Sequence, residues 1–600
     1  TAIHQYRGLG NQFYDLAGTR PSLDLTFADS KSLVDATTGQ NLVTFTRASS
    51  GTFVGSDGVI RTAVTNLLLR SEEFGTTWTT GNASISTDST LSPNGQTSAD
   101  SLIENTANAQ HNATQTVALP DSTVVTVSVY AKSSGRNWMR LSVVAKDGSV
   151  PGAYFDLSTG STGNVISSPI ATSIISVGNG WYRCSVTAST NSGATLPGLR
   201  IWTSSANGTI TYTGDGTSGI YLWGAQLEQS STVGEYIPTT STINSAPRFD
   251  HDPTTGESLG LLVEEQRTNL LVQSNGFDTT WANANTTETA ASGTAPDGTN
   301  TAWLLTDNTT NSGHTLFQSI VWSAGTFTAT IFAKYSTHRW IGMRIGATGN
   351  QFFGSFDLQN GVAGSVTAGA SVGIDRLANG WYRLRLTATL TTAGTANFLL
   401  ALNDADTATV NTYAGTGTSS LIWGAQLEAG AFPTSYIPTT TATVTRSADV
   451  ASITGSNWSS WGSSTTGTYY LEASVTRSSA SAAKVFLGTS TSPAESYYLY
   501  QVQNQNDLRT FDSTTVLDTV NVISNGITFK GGIAYSSADS MRSLVLDGGA
   551  VVEGAFDGTY GTDLSIGSRI AGGAPTTGTI RRLTYWPQRL PNETLQQITQ

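Results

Sequence analysis

The chain has 600 residues, only 12% of them charged, with a formal net charge of −12. Soluble proteins average roughly 25% charged residues. The acidic balance, with no basic cluster anywhere, excludes nucleic acid as a partner, since binding it takes dense Lys and Arg to neutralise phosphates. A single cysteine, Cys184, excludes an intrachain disulfide, and no apolar run reaches the roughly 18 residues of a membrane helix.

This length predicts about three or four domains. Hydrophobic residues at 38%, with 14 Trp, 20 Tyr and 20 Phe, are enough to fill several cores. Abundant Thr and Gly favour strands and turns over helices. Residues 1–20 are irregular and aromatic and lack the charged and apolar regions of a signal peptide. A chain of this kind working outside a cell is expected to be released by lysis. Over 21–65, Leu23–Phe27 and Val43–Arg47 read as strands of a small separate β region.

From there an internal repeat organises the chain. Asn66-Leu67-Leu68 with Phe74 and Trp78 recurs as Asn269-Leu270-Leu271 with Phe277 and Trp281. Gly180-Trp181-Tyr182-Arg183 recurs as Gly380-Trp381-Tyr382-Arg383, and Trp223-Gly224-Ala225-Gln226-Leu227-Glu228 as Trp423-Gly424-Ala425-Gln426-Leu427-Glu428. Tyr236-Ile237-Pro238-Thr239 recurs as Tyr436-Ile437-Pro438-Thr439. These ordered matches define two modules, 66–245 and 269–448, separated by a more charged linker at 246–268. Within them Thr123–Tyr130 and Thr326–Ala333 alternate apolar and polar residues, the period-2 pattern of strands with one buried face. Residues 449–600 read as a third sandwich, with strands at Tyr469–Val475, Ser543–Leu546 and Gly578–Trp586 and a helical turn from Pro591 onward. The fold class is all-β: β-sandwich domains in series, two of them tandem copies.

Candidate chemistry is sparse. Cys184 sits in an alternating strand and reads as a small buried apolar residue. Trp181, Trp381, Trp223 and Trp423 read as core anchors rather than sugar platforms, because burying about 200 Å² of indole contributes on the order of 5 kcal/mol. Trp138 and Trp340 differ, each following an arginine in a polar stretch. With Arg140 and Arg344 as hydrogen-bond donors they form a candidate carbohydrate-binding set, the alternative being a half-buried strand edge or a subunit interface. Asp250, Asp252 and Glu257 have calcium-like spacing, which surface turn acids also show. The five histidines are scattered without zinc spacing. No nucleophile elbow or phosphate loop is evident. No catalytic residue, metal or cofactor is therefore expected, although a carboxylate pair suited to glycoside hydrolysis stays open.

The opening Asn-Leu-Leu with Phe and Trp, and the closing strand Ile220–Glu228, are similar to carbohydrate-binding modules with a jelly-roll fold. The Gly-Trp-Tyr-Arg strand, Trp-Gly-Ala-Gln-Leu-Glu, Tyr-Ile-Pro-Thr, and the linker's Pro247–Asp250 and Gly260–Glu265 resemble repeat modules of tailed-bacteriophage fibre proteins. Leu546–Gly549 and Ile580–Leu583 resemble the concanavalin A-like, or laminin-G-like, sandwich. Glu72 and Glu73 become Asn275 and Gly276 in the second copy, which departs from a shared calcium site. The resemblance implies an elongated homotrimeric virion fibre or spike, an adhesin whose partners are a host-surface glycan and, through a virion-attachment segment at 1–20, other virion proteins. In that scheme residues 449–600 form a distal lectin-type domain. A purely structural capsid or collar fibre is the alternative, and a polysaccharide-degrading tailspike a further one.

Overall fold

The computed structural model describes residues 14–347, 349–476, 484–489, 496–501, 507–512, 515–556, 560–568 and 575–600. Residues 1–13 of the expected attachment segment lie outside them. The architecture is all-β: antiparallel sheets pair face to face as sandwiches, and the helices among the described residues are short, seven residues at most. The chain forms two compact units, one of residues 47–50 and 63–246, the other of the remainder.

The first unit is module 1. Its first sheet orders strands Ser161–Ile166, Gly152–Asp156, Trp138–Val144, Gly198–Ser204, Asn112–Thr116 and Thr79–Gly81. Its second orders Ala171–Gly178, Trp181–Ser189, Val124–Ser134, Gly219–Glu228, Thr97–Glu104 and Ala83–Leu91. Alternation places Val125, Val127 and Val129 inward against Met139, Leu141 and Val143, and the free Cys184 lies buried in that core. Module 2 repeats the order strand for strand: Val362–Val366, Asn350–Asp357, Trp340–Ala347, Gly394–Asn403, His314–Trp322 and Ala282–Ala284 in one sheet. Its other sheet runs Ala370–Arg376, Trp381–Leu390, Gly325–Tyr335, Ser419–Ala429, Ala302–Asp307 and Thr286–Gly293.

The repeated motifs are the hydrogen-bond framework of each module. Buried Asn66 donates from Nδ2 to the carbonyls of Ala225 and Ile237 (both 2.9 Å), and its Oδ1 accepts from the amides of Leu68 and Leu227 (both 3.2 Å). Asn269 does the same with Ala425, Ile437, Leu271 and Leu427. Gln226 and Gln426 accept from the amides of Ile237 and Ile437. Gly224 stands at φ +61° where the ladder slips between Ser128 and Tyr130, and a Cβ there would lie 2.9 Å from the Tyr130 ring. Gly424 repeats this against Phe332. The Trp-Gly-Ala-Gln sequence is thus a β-bulge that only glycine fits.

The third sandwich, with module 2 in the second unit, departs from the sequence reading. Leu23–Leu25 pairs with Thr577–Trp586, and Thr44–Thr46 with Val450–Ile453, so these strands complete the sheets of residues 449–600 rather than forming a separate region. The 246–268 segment is likewise no simple linker. Arg248–His251 and Ser258–Val263 form a hairpin that continues the same sheet as Thr577–Trp586. The physical reason is edge completion: a row of unpaired amides and carbonyls is costly to leave open beside a buried core. A second hairpin, Thr52–Val54 with Ile60–Thr62, packs on module 2 through Ile60. Behind these joints is a buried ion network. Arg248 reaches Glu264 (2.7 Å) and Asp449 (2.6 Å), and Arg446 reaches Glu264 (3.0 Å). Burial alone would raise the Glu264 pKa; Arg446 and Arg248 instead bring it down to about 2. The C-terminal segment after Pro591 forms the helix Asn592–Ile598.

Candidate functional site

Of the 14 tryptophans, twelve are buried; Trp138 and Trp340 are the two that are not. Both open the third-listed strand of their module's first sheet and stand at one register, opposite Asp156 and Ser204 in module 1 and opposite Asp357 and Asn403 in module 2. They face away from the core, on the side that residues 139, 141 and 143 do not use. Each ring leans on a glycine of the edge strand. A Cβ on Gly163 would fall 2.6 Å from Trp138 Cζ3, and one on Gly364 would fall 2.9 Å from Trp340 Cζ3. Beside each ring a side chain caps the strand. Asn207 Oδ1 accepts from the Asn164 amide (2.8 Å), and Asp406 Oδ1 accepts from the Ser365 amide (2.7 Å).

The two arginines of the candidate set are not equivalent. Arg140 is one rung along from Trp138 and lies opposite Tyr154 and Trp202. It is buried. Its Nε donates to Ser142 Oγ (3.1 Å), its Nη2 to the Val150 carbonyl (2.8 Å), and its guanidinium lies 4.6 Å from the Trp202 ring. Arg200 approaches the same ring at 5.5 Å, and Trp202 Nε1 donates to Gln110 (3.2 Å). In module 2 that rung holds Gly342, opposite Ser355 and Ala401. Arg344 comes one rung later, opposite Phe353 and Leu399, its Nε buried without a partner. The space over Gly342 is taken by Phe353, whose Cζ would stand 2.0 Å from an added Cβ. A guanidinium–indole stack therefore seals the first face, and Phe353, Leu399 and Ala401 seal the second. Trp340 has a guanidinium beside it: Arg339 lies 5.1 Å from its ring and pairs with Asp357 at 2.6 Å.

Sequence reading did not single out Trp202, Tyr154, Arg200, Asn207 or Asp406. The alternation in Gly198-Leu199-Arg200-Ile201-Trp202 carries the first clue, since it puts Arg200 and Trp202 on one face. The buried tryptophans take structural partners: Trp181 Nε1 donates to the Leu91 carbonyl and Trp381 Nε1 to the Thr294 carbonyl. The calcium-like trio does not converge. Asp250 accepts from the Val54 amide, Asp252 caps its own turn through Thr254 and Thr255, and Glu257 pairs with Arg581. The Glu72 and Asn275 positions serve one purpose, accepting the hydroxyl of Tyr236 and Tyr436. Among the described residues no group of three or more His, Cys, Asp or Glu could hold a metal ion.

No family model and no curated protein matches the chain. Among solved structures it is similar to the CBM40 of Ruminococcus gnavus IT-sialidase bound to α2,3-sialyllactose, at 15% identity over 22% of this chain and 82% of that one (TM-score 0.20). It is also similar to domains LG4-5 of the mouse laminin α1 chain, at 14% identity over 47% of this chain and 92% of that one (TM-score 0.16). Trypanosoma rangeli sialidase with the inhibitor DANA aligns at 10% identity over 92% and 96% (TM-score 0.21). Likeness at this level carries nothing about ligand or activity. The class defined by the coordinates themselves is an all-β protein of tandem jelly-roll-type sandwiches joined to a further, larger sandwich.

Proposed function

We propose that this chain is a glycan-binding appendage protein of a tailed-bacteriophage virion, acting without hydrolysis, with the outer face around Trp138 as its principal contact. One observation carries the glycan reading: Trp138 and Trp340 alone among the tryptophans stay accessible, and they do so at one register. A sugar presents a flat C–H face and a ring of hydroxyls; the accessible Trp138 indole offers a surface for the first, and the Asn207 carboxamide beside it a polar group for the second. The phage reading rests on the tandem motifs, and with it go virion localisation, host recognition and a homotrimer. Trimerisation suits weak single sites, because linked sites raise apparent affinity without new contacts. The apolar seal over Gly342 favours module 2 as spacer rather than reader.

The test uses the whole chain, since removing 449–600 would strand Leu23–Leu25, Thr44–Thr46 and the 248–263 hairpin without partners. The wild type and W138A are applied to an array of bacterial capsules and lipopolysaccharide O-chains, with reducing ends assayed in parallel and mass measured by light scattering. Binding that W138A abolishes, without new reducing ends, supports the proposal. Binding indifferent to W138A sinks the site, release of reducing ends sinks the non-enzymatic reading, and a monomer sinks the trimer.

A further inference from the structure

A cavity of about 440 Å³ lies in the second unit, against the sheet of module 2 that does not carry Trp340. We propose that it binds a carboxylate-bearing monosaccharide of the hexuronate class. The choice of a sugar rests on the glycan-binding reading above; the site does not.

The cavity has a built floor and walls. Trp381 forms the floor, its orientation fixed by the bond from Nε1 to the Thr294 carbonyl (3.1 Å). The wall is the tip of the 52–62 hairpin, bringing Val59 against Pro296. The Ile60 amide donates to the Pro296 carbonyl (2.9 Å), and Gly58 fits so closely that a Cβ would meet Ala378 Cβ at 2.8 Å and the Pro253 carbonyl at 2.6 Å. The hairpin is itself held by the Val54 amide on Asp250 (2.7 Å) and Arg248 on the Thr52 carbonyl (2.8 Å).

Three polar side chains line this cavity, the half-buried Lys334 and the exposed Asn379 and Thr294, and no side-chain hydrogen bond engages any of them among the described residues. Lys334 is in register with Trp381 on one side and Leu421 on the other, so its stem crosses the same face, passing over Gly380. Two acids of the lining loops have partners of their own, Asp297 accepting from the Thr299 amide (3.0 Å) and Asp57 pairing with Arg61 (2.6 Å). Lys132 crosses Gly180 in the same way in module 1, so the stem packing is common to both copies. What module 2 adds is the hairpin wall. A single cation over an apolar floor, with an amide and a hydroxyl at the rim, suits one carboxylate and several sugar hydroxyls. A phosphate dianion would call for more donors.

Saturation-transfer NMR with D-glucuronate and D-glucose on the full chain tests this. Glucuronate is expected to bind with Kd on the order of 1 mM, the range for a ligand of that size, and glucose at least about fivefold more weakly. K334Q should bring glucuronate down to the glucose level, and V59W, which fills the cavity, should remove both. Equal binding of the two sugars, or glucuronate binding unchanged in K334Q, overturns the proposal. Polysaccharide binding lost in W138A while K334Q has no effect would leave the principal site standing and this one refuted; the converse result would separate them the other way. Circular dichroism and melting of K334Q, a change at a half-exposed side chain, confirm that lost signal is not lost fold.

Discussion

The outer faces of the two first sheets solve one packing problem in two ways. At equivalent rungs module 1 has Arg140, Tyr154 and Trp202 where module 2 has Gly342, Ser355 and Ala401, and Gly152 where module 2 has Phe353. The cover comes from different places: an arginine stacked on an indole in one, a phenylalanine from the adjacent strand in the other. Beneath these faces the framework is the same in both, down to the four hydrogen bonds of Asn66 and Asn269. Packing and bulge geometry therefore hold the module together, and the outer face is free to differ. Beside the accessible tryptophan the first copy has the uncharged Asn207 amide, where the second has the Asp406 carboxylate and Arg339 over the ring.

The largest effects should appear where the copies agree. Asn66→Ala and Asn269→Ala each leave buried amides and carbonyls without partners, at about 1–3 kcal/mol apiece, so each should destabilise its own unit by roughly 4 kcal/mol. Calorimetry should show N66A lowering one transition and N269A the other; a loss below about 1 kcal/mol in either would contradict the framework role. Next in size is a pH effect confined to the second unit. The Glu264 pKa in the folded state, about 2, lies below its ordinary 4.5. Its contribution is therefore complete above about 4.5 and is lost as pH falls toward 2, amounting to about 3 kcal/mol. E264Q should flatten the acid unfolding of this unit across that window, leaving the first unit's profile unchanged.

Much of this was legible beforehand. Alternation at 124–134 and 325–335, turn signals and the tandem motifs are local, and they specify sandwiches and their repeat. The completion of the third sandwich by residues 23–25, 44–46 and 248–263 was not, because pairing Leu23 with Tyr585 leaves no mark in either segment. At the site, Arg-Asn-Trp138 and Arg-Trp340 in polar surroundings pointed to the accessible rings. The non-equivalence of Arg140 and Arg344 was hidden for a different reason. Both share the strand face of their tryptophan, two and four residues on, and parity fixes the face without fixing the rung.

Binding variants come third. Trp138→Ala should weaken glycan binding at least about tenfold, equivalent to about 1.4 kcal/mol, while Phe353→Ala in module 2 should cost roughly 3 kcal/mol of stability and leave binding unchanged. Equal losses of binding from the two would erase the distinction between reader and spacer.

The smallest effect concerns Arg339, which separates the two accessible tryptophans. Its side chain is 47% exposed and it holds Asp357 at 2.6 Å while lying over the Trp340 ring. Exposed ion pairs contribute about 1 kcal/mol or less, so Arg339→Ala should barely shift the melting temperature. If the guanidinium alone keeps Trp340 from a sugar, R339A should raise module 2 binding to the level of module 1. The packing predicts otherwise. With Phe353 over Gly342 and the Asp406 carboxylate beside the ring, R339A and W340A should both leave affinity within about twofold of the wild type, a difference under about 0.5 kcal/mol. Titration of the array's best ligand against R339A in a W138A background isolates that contribution, and recovery of binding there would make the second copy a masked reader instead of a spacer.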